Sequence, residues 1–177
     1  MKTRAARHLV RRFLRSQKGV VALEFALMAP LLISIFMLLV DFGIAMNTKL
    51  KLLSALSAGA QYAQNYGTSL TSSNFSTFAS QLSTFVSCAA DLKSTPTITV
   101  KINNTTDGSA AGNWYCVSGT TPSWTQVASS TSQCATNLTA GKFVTLTIST
   151  TLSSAFPTDP IVGQFFSLQQ SILVRVQ

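Results

Sequence analysis

Charged residues are scarce in this sequence of 177 amino acids, and acidic residues are the scarcest of them. Only 10% of the residues are charged, against roughly 25% in an ordinary soluble domain. The net charge is nevertheless +8, because seven of the thirteen basic residues fall at positions 1–18, ahead of the first acid, Glu24. The other six basic residues nearly balance the five acidic ones. The basic character therefore belongs to an N-terminal arm, and nucleic acid is not expected as a partner of the rest.

Histidine and cysteine are nearly as scarce, and their positions argue against most catalytic and metal-binding arrangements. The single histidine, His8, lies in the basic arm, so no Ser-His-Asp triad can form in the rest of the chain. The three cysteines lack the C-x-x-C spacing of zinc ribbons and redox motifs. The sequence also lacks a glycine-rich phosphate loop and an H-E-x-x-H pattern. We therefore predict that the protein is not an enzyme, with no catalytic residue, metal site or cofactor.

The odd number of cysteines has two interpretations. Outside the cytoplasm, Cys88, Cys116 and Cys134 would give one disulfide and one leftover thiol. We favour the pair Cys116–Cys134, which would staple the loop-rich middle of the chain. In the chain-entropy model, a disulfide that closes a loop of 17 residues stabilises the folded state by about 3 kcal/mol. Three unpaired buried thiols are the alternative.

Charge is absent from one long apolar run, residues 25–40. Ten of these sixteen residues are Leu, Ile, Phe or Val, which together contribute roughly −3 to −6 kcal/mol toward membrane insertion. Glu24 and Asp41 bracket the run, where a charge costs less than at the bilayer centre. A helix from Ala22 to Gly43 would be about 33 Å long, which matches a hydrocarbon core. We predict a membrane-spanning helix with a possible kink at Pro30.

The basic arm could be a transit peptide, the charged part of a secretory signal, or the cytoplasmic flank of a membrane helix. A signal peptidase site requires small residues in A-x-A spacing after the apolar run. The nearest approach, residues 26–29, has the wrong spacing, lies within the run and is followed by Pro30. The segment is therefore predicted to be retained. Seven basic residues on one side, against Lys49 and Lys51 on the other, orient the N-terminus toward the cytoplasm.

The helical pattern continues beyond the apolar run. An apolar stripe at spacings of three, four and seven extends the helix from about Val20 to Tyr66, where Gly67 can end it. The stripe consists of Met46, Leu50, Leu53, Ala60 and Ala63, widened by Leu52 and Leu56. A second helix follows N-cap candidates at 71–74. Its predicted core face is Phe75, Phe78, Ala79, Leu82, Phe85, Val86 and Ala89.

After Pro96 the apolar period changes to two, which predicts strands. Firm strands are expected at 97–103 and 143–151, with a final strand at 172–176. Tyr115 and Trp124 mark possible short strands, and the prolines at 156–164 predict a loop. The fold class is therefore α+β: a long N-terminal transmembrane and stalk helix, a second helix and a small antiparallel sheet.

Four parts are predicted along the chain. Residues 1–19 form a basic cytoplasmic leader, and 20–43 form the transmembrane helix. Residues 44–66 form a helical stalk outside the cytoplasm, and 67–177 form an α+β domain. About 110 residues are enough for a small core with little spare stability.

The junction between arm and helix resembles a type IV prepilin processing site. A basic stretch ends in Lys18 and Gly19, four apolar residues follow, and then come Glu24 and Phe25. The resemblance implies that a membrane peptidase cuts the Gly19–Val20 bond on the cytoplasmic side. It also implies that Glu24 pairs with the new N-terminal amine of a neighbouring subunit.

Residues 21–32 are similar to the signature of the TadE-like family, pseudopilins of the tight-adherence (Flp) pilus. Asp41 to Gly43 lies where that family usually has an acidic residue, an apolar residue and glycine. Residues 54–63 resemble its following small-residue helix, although Gln61 stands where many members have arginine. Phe25 replaces a tyrosine frequent in the major Flp pilins, which argues against the major subunit, as does the size of the outer domain.

The resemblance implies a minor pilin or pseudopilin with a pilin-like fold, acting in pilus assembly or initiation through its membrane helix. The implied partners are a prepilin peptidase, other pilins or pseudopilins, the inner-membrane assembly platform and the lipid bilayer. The implied location is the bacterial inner membrane, with the C-terminal domain in the periplasm, or the pilus after processing. The alternative is an unprocessed single-pass membrane protein whose outer domain binds a partner.

Overall fold

The computed structural model describes residues 17–92, 94–135, 137–152 and 166–177. In chain order its elements are α1 (Gln17–Tyr66), a 3₁₀ turn (Gly67–Ser69), α2 (Phe75–Ala90), β1 (Thr97–Ile102), β2 (Trp114–Ser118), β3 (Ser123–Val127), β4 (Phe143–Leu152) and β5 (Phe166–Arg175). The α+β fold class is confirmed. The chain divides into two compact units between Ile44 and Ala45, within α1, and each is described by itself. The predicted loop at 156–164 lies outside the described residues.

The described part of the first unit is residues 17–44 of α1. Its large apolar side chains, such as Leu27 and Phe36, are exposed on every side of the helix. The stretch Val20–Ser69 contains an 18-residue window of mean hydropathy 2.4, no part of which is buried. An apolar surface around the whole helix is typical of a membrane span. The described chain thus contains one helix long and apolar enough to cross a bilayer, as predicted.

Pro30 lies inside α1. Because proline has no backbone N–H, the carbonyl group of Ala26 loses its usual helical donor. One turn later, the hydroxyl group of Ser34 donates a 2.6 Å hydrogen bond to the carbonyl oxygen of Pro30. A proline and a serine that bonds back to the preceding turn both favour bending of a helix.

In the second unit, α1 from Ala45 onward packs with α2 and a three-stranded sheet around one apolar core. The largest buried side chains of this core are Leu52, Leu56, Phe75, Leu82, Val86, Ile102, Val144, Leu146 and Ile148. The predicted stalk segment therefore contributes directly to the core of the α+β unit.

The helix ends at Tyr66, as the apolar stripe of α1 predicted, but only part of that stripe is buried. Ala63, Leu52 and Leu56 are buried, but Met46, Leu50 and Leu53 are 49%, 55% and 43% exposed. The core lies on the other side of the helix, where small residues allow close packing. At Gly59, for example, an added Cβ would lie 2.6 Å from Val86 Cγ2. Helical spacing alone could not choose between two apolar faces.

The core face of α2 is confirmed for Phe75, Phe78, Leu82 and Val86, which are buried. Phe85 is instead substantially exposed, and its ring stacks on that of Tyr62 with centroids 5.3 Å apart. Ala89 is also exposed, and Ala90 takes its place in the core.

The start of α2 differs in detail from the prediction. Asn74 occupies the N-cap position but makes no side-chain cap bond to the helix. Its carboxamide instead accepts from the backbone N–H of Thr71 at 2.7 Å and donates to the carbonyl of Ser69 at 3.0 Å. The side chain thus holds the turn before α2. At the other end, Lys51 of α1 donates to the carbonyl of Asp91.

The sheet is antiparallel, with strand order β1-β4-β5. Val100 of β1 pairs with Leu146 of β4, which also pairs with Ile172 of β5. The strand predicted at 143–151 is confirmed, and its alternating apolar residues are buried in the core. The two short strands, β2 and β3, form a separate antiparallel hairpin in which Ser118 pairs with Ser123.

Strand β5 begins at Phe166, six residues before the predicted start at Ile172. Its early residues include serines and glutamines, so apolar alternation does not reveal them, yet their backbone pairs with β4 as far as Leu152. After β5, Val176 packs on Gly67, where an added Cβ would lie 2.8 Å from Val176 Cγ1. The last strand is thereby fixed against the end of α1.

Candidate functional site

The predicted cleavage bond, Gly19–Val20, lies near the beginning of α1. The helix starts at Gln17, so the backbone of both residues is helical. Gly19 therefore does not interrupt the helix ahead of the apolar run. Glycine still lowers the stability of a helix by about 1 kcal/mol relative to alanine. The first turn of α1 can therefore unwind at low free-energy cost. Val20 itself is half-exposed.

Glu24 lies one helical turn after Val20, on the same side of α1. Its side chain is exposed, as are those of its neighbours Leu23 and Phe25. Among the side chains that the structure describes, those of residues 20–92 and of the later described segments, none forms a hydrogen bond or ion pair with its carboxylate. A carboxylate at the edge of an apolar helix therefore has no partner within the described part of this molecule.

Asp41, the second acid at the predicted membrane margin, is in a different environment. It is only 9% exposed, whereas the adjacent Phe42 is largely exposed. Asp41 also takes part in an interaction within this single molecule. The two acids that bracket the apolar run thus differ: Asp41 is buried and partnered, and Glu24 is exposed.

Comparison with known families bears on this segment. A family model described as TadE-like protein matches positions 19 to 61. Residues 19–61 are TadE-like. The match begins at Gly19, the predicted cleavage residue, and includes Glu24, Pro30 and Asp41. No curated protein and no solved structure matches the chain.

The TadE-like match confirms the resemblance predicted from the sequence. It covers 43 of 177 residues, about a quarter of the chain. The family is associated with the Tad pilus and is structural in character. The matched segment lies on an N-terminal helix that is long and apolar enough to cross a membrane.

The C-terminal part of the TadE-like segment has a clear packing role. Ala55 and Leu56 are almost fully buried, and Gly59 approaches Val86 and Leu146 too closely to admit a side chain. These small residues let α1 lie directly on α2 and β4. Gln61, at the end of the matched segment, is exposed.

Beyond the TadE-like segment, Cys116 and Cys134 form the disulfide that the spacing favoured, with their Cα atoms 5.5 Å apart. It ties β2 to the loop that leads toward β4. Cys88, on α2, is a free and exposed thiol. It borders an open groove of about 350 Å³, which is otherwise lined by Ser83, Thr84, Ser87, Pro96 and Ile98. Among the residues that the structure describes, the lining of this groove is made of hydroxyl, thiol and apolar side chains.

A polar turn follows β1 and is organised by Asn103. This side chain is buried and joins three backbone groups: it donates to the carbonyls of Ala110 and Asn113 and accepts from the N–H of Phe143. Further along, the backbone N–H and hydroxyl of Ser109 donate to Asp107 and lower the pKa of its carboxyl group. Within the described segments, no group of three metal-ligating side chains comes together. The turn is a structural element of the second unit.

Proposed function

We propose that the protein is a minor pilin or pseudopilin of a tight-adherence pilus or a related secretion system. The observation that carries the proposal is the TadE-like match, which starts at the predicted cleavage glycine and runs along an exposed apolar helix. The protein inserts in the bacterial inner membrane with the N-terminus in the cytoplasm and the second unit in the periplasm. A prepilin peptidase then cuts between Gly19 and Val20. The protein acts in assembly or initiation, together with other pilins and the assembly platform.

Cleavage changes the electrostatics of the membrane helix. Residues 1–19 contain seven basic and no acidic side chains, so their removal lowers the side-chain net charge from +8 to +1. A cluster of positive charge anchors a helix on the cytoplasmic side, because those charges cannot cross the bilayer. Processing therefore releases the helix from its anchor and creates a new amine on Val20.

The cleavage step has a direct test. Full-length protein co-expressed with the cognate prepilin peptidase is expected to give a chain that starts at Val20, by intact mass and N-terminal sequencing. Gly19→Leu is expected to abolish this product, because a larger side chain at the cut site blocks the peptidase. Leu23→Ala, a truncation four residues away, is the control and should be cut normally. Recovery of only the intact arm from the wild-type chain would refute processing.

Glu24 is the residue to which we assign the inter-subunit contact. An ionised carboxylate inside a bilayer is costly unless a positive group neutralises it. The new amine of a neighbouring subunit has the right charge, and the pair would fix the register of one helix against the next.

Substitution of Glu24 separates cutting from assembly. Glu24→Ala is expected to be processed to the Val20 chain but to impair pilus assembly, since the register charge is lost. The readouts are N-terminal sequencing of the membrane fraction and the amount of sheared pili. Leu23→Ala, an adjacent exposed side chain, controls for loss of apolar surface and should assemble. Normal piliation by the Glu24→Ala strain would remove the pairing role.

An uncut single-pass membrane protein is the second candidate, and one observation favours it. The backbone at Gly19 is helical, and a helical peptide bond is less accessible to a peptidase than an extended one. In that case the arm remains as a cytoplasmic anchor, and the second unit binds a partner outside the cytoplasm. The mass measurement above distinguishes the two candidates.

A further inference from the structure

The side of the β1-β4-β5 sheet that points away from the apolar core carries hydroxyl and amide side chains. On β4, Leu146 and Ile148 are buried, so Thr145 and Thr147 point to the opposite side. The register continues this side onto the neighbouring strands. Two rows across the three strands are Thr99–Thr147–Ser171 and Thr97–Ser149–Gln169. All six side chains are partly or fully exposed. We call this side of the sheet the hydroxyl face.

Three aromatic rings extend the hydroxyl face beyond the start of β4. Phe143 is two residues before Thr145 and therefore lies on the same side of the strand. Tyr115 of β2 is bridged to Gly141, two residues earlier still, which places Tyr115 on this side as well. The ring of Trp124 lies edge-on to both, with centroids 6.2 Å from Tyr115 and 5.9 Å from Phe143. The hydroxyl rows thus continue into a strip of partly exposed aromatic rings.

Arg175 lies over Gly141, beside the aromatic strip. A Cβ added to Gly141 would be 2.6 Å from Arg175 Nε, so glycine makes room for the arginine side chain on the sheet. Arg175 Nε donates to the main-chain oxygen of Gln177 at 3.2 Å, and Nη2 donates to the carbonyl of Ala140 and the hydroxyl of Thr139. Within the described segments Nη1 has no hydrogen-bond partner. The guanidinium group is therefore held in place with donors left for a ligand.

Acidic residues are absent from all five strands. The charged side chains of these strands are Lys101 and Arg175, and the register places both on the hydroxyl face. Surfaces of ordinary soluble domains mix charges of both signs. A face whose charged side chains are all cations attracts a ligand with negative charge.

The groups on this face match the chemistry of a sugar chain. A serine or threonine hydroxyl both donates and accepts hydrogen bonds, as the hydroxyls of sugars do. Aromatic rings offer apolar surface to the C–H faces of sugar rings. A protein partner fits less well, because protein interfaces are depleted in serine and lysine. Nucleic acid also fits less well, because its affinity depends on several cations that neutralise phosphates.

We propose that the hydroxyl face binds an acidic polysaccharide. Its carboxylates contact Arg175 and Lys101, since a guanidinium or ammonium group forms strong hydrogen bonds with a carboxylate. Its hydroxyls bond the rows centred on Thr147 and Ser149, and its sugar rings cover the aromatic strip. Binding of this kind requires neither cleavage at Gly19 nor pilus assembly, so it can be tested separately from the proposed function.

A fluorescence titration tests the site locally. In a Trp114→Phe background Trp124 is the single remaining tryptophan, so its emission reports on the hydroxyl face and not on the basic arm, residues 1–19. The full chain in detergent is titrated with oligogalacturonate, a chain of uronic acids. A saturable change in emission is expected. Methyl-esterified oligogalacturonate has the same sugars without the charges and is expected to bind at least about tenfold more weakly.

Two matched pairs of variants locate the contact. Lys101→Gln is expected to weaken binding several-fold, whereas Lys49→Gln removes the same charge from α1 and should leave binding unchanged. Thr147→Val removes one hydroxyl from the face and is also expected to weaken binding several-fold. Thr125→Val, at an exposed position on the other side of the β2-β3 hairpin, is its control.

Several results would overturn the proposal. One is the absence of a saturable change in Trp124 emission with oligogalacturonate. Others are equal affinity for the acid and its ester, or equal loss of affinity within either pair of variants. Equally tight binding of single-stranded DNA of the same charge would show that the face responds to negative charge alone.

Discussion

Replacement of Asn103 by alanine is expected to destabilise the second unit by about 2–4 kcal/mol. Asn103 is only 2% exposed, and its carboxamide joins the turn after β1 to the start of β4. Without it, the N–H of Phe143 loses its partner, and the carbonyls of Ala110 and Asn113 lose a donor. A buried polar group left unsatisfied costs about 1–3 kcal/mol. The backbone of Asn103 is also left-handed, with φ of 47°, which alanine adopts less readily.

Asn104→Ala is the matched control for this effect. Asn104 also has a left-handed φ, of 69°, but its side chain is exposed. Asn104→Ala is therefore expected to lower the stability only through the strained backbone, by about 1 kcal/mol. Thermal unfolding of the full chain in detergent, followed by near-ultraviolet circular dichroism, measures both. Trp124 lies edge-on to Phe143 at 5.9 Å and reports on the affected strand. Equal shifts for the two variants would show that the buried hydrogen bonds contribute little.

Gly59→Ala is the second substitution with a large expected effect. An added Cβ would lie 2.6 Å from Val86 Cγ2 and 2.7 Å from Leu146 Cδ2, inside any normal contact distance. Both neighbours belong to the packed core, so α1 must move away from α2 and β4. Overpacking of this kind costs about 1–3 kcal/mol, which outweighs the gain of about 1 kcal/mol from alanine in a helix.

Gly43→Ala on the same helix isolates the contact. No atom lies within 4 Å of a Cβ added there, so only the helical propensity changes. Gly43→Ala is expected to leave the melting temperature unchanged or slightly raised, whereas Gly59→Ala lowers it. The same dichroism measurement in detergent compares them. If Gly59→Ala were as stable as the wild type, the close packing of α1 on α2 would be refuted.

The sequence correctly predicted the elements whose apolar residues follow one clear periodicity, helical or strand-like. Phe75, Leu82 and Val86 identified α2 and its core face, and the alternation around Leu146 identified β4. The pattern could not indicate the core face of α1, since Leu50 and Leu52 are both apolar and lie on opposite sides of the helix. Small residues such as Gly59 determine which side of the helix is buried. Their effect depends on the residues of other elements that pack against them, which the sequence does not show.

The candidate site also has features that the sequence predicts and features that only the structure shows. Gly19 and Glu24 stand out in the sequence because the proposed cut and the proposed register charge each require a particular residue at a particular distance from the apolar run. The burial of Asp41 carries no signal in the sequence, where it mirrors Glu24 at the other margin. The partner proposed for Glu24 belongs to another subunit, so neither one sequence nor one chain contains it.

The position of the core elements along the chain has a kinetic consequence. Gly59 packs on Leu146, and Gly67 packs on Val176, so residues that emerge early from the ribosome are covered by residues made much later. At about 5–20 residues per second, the ribosome needs on the order of ten seconds to make the intervening chain. Throughout that delay Leu52 and Leu56 expose their apolar surface. The yield of this protein should therefore fall when synthesis slows between α2 and β5.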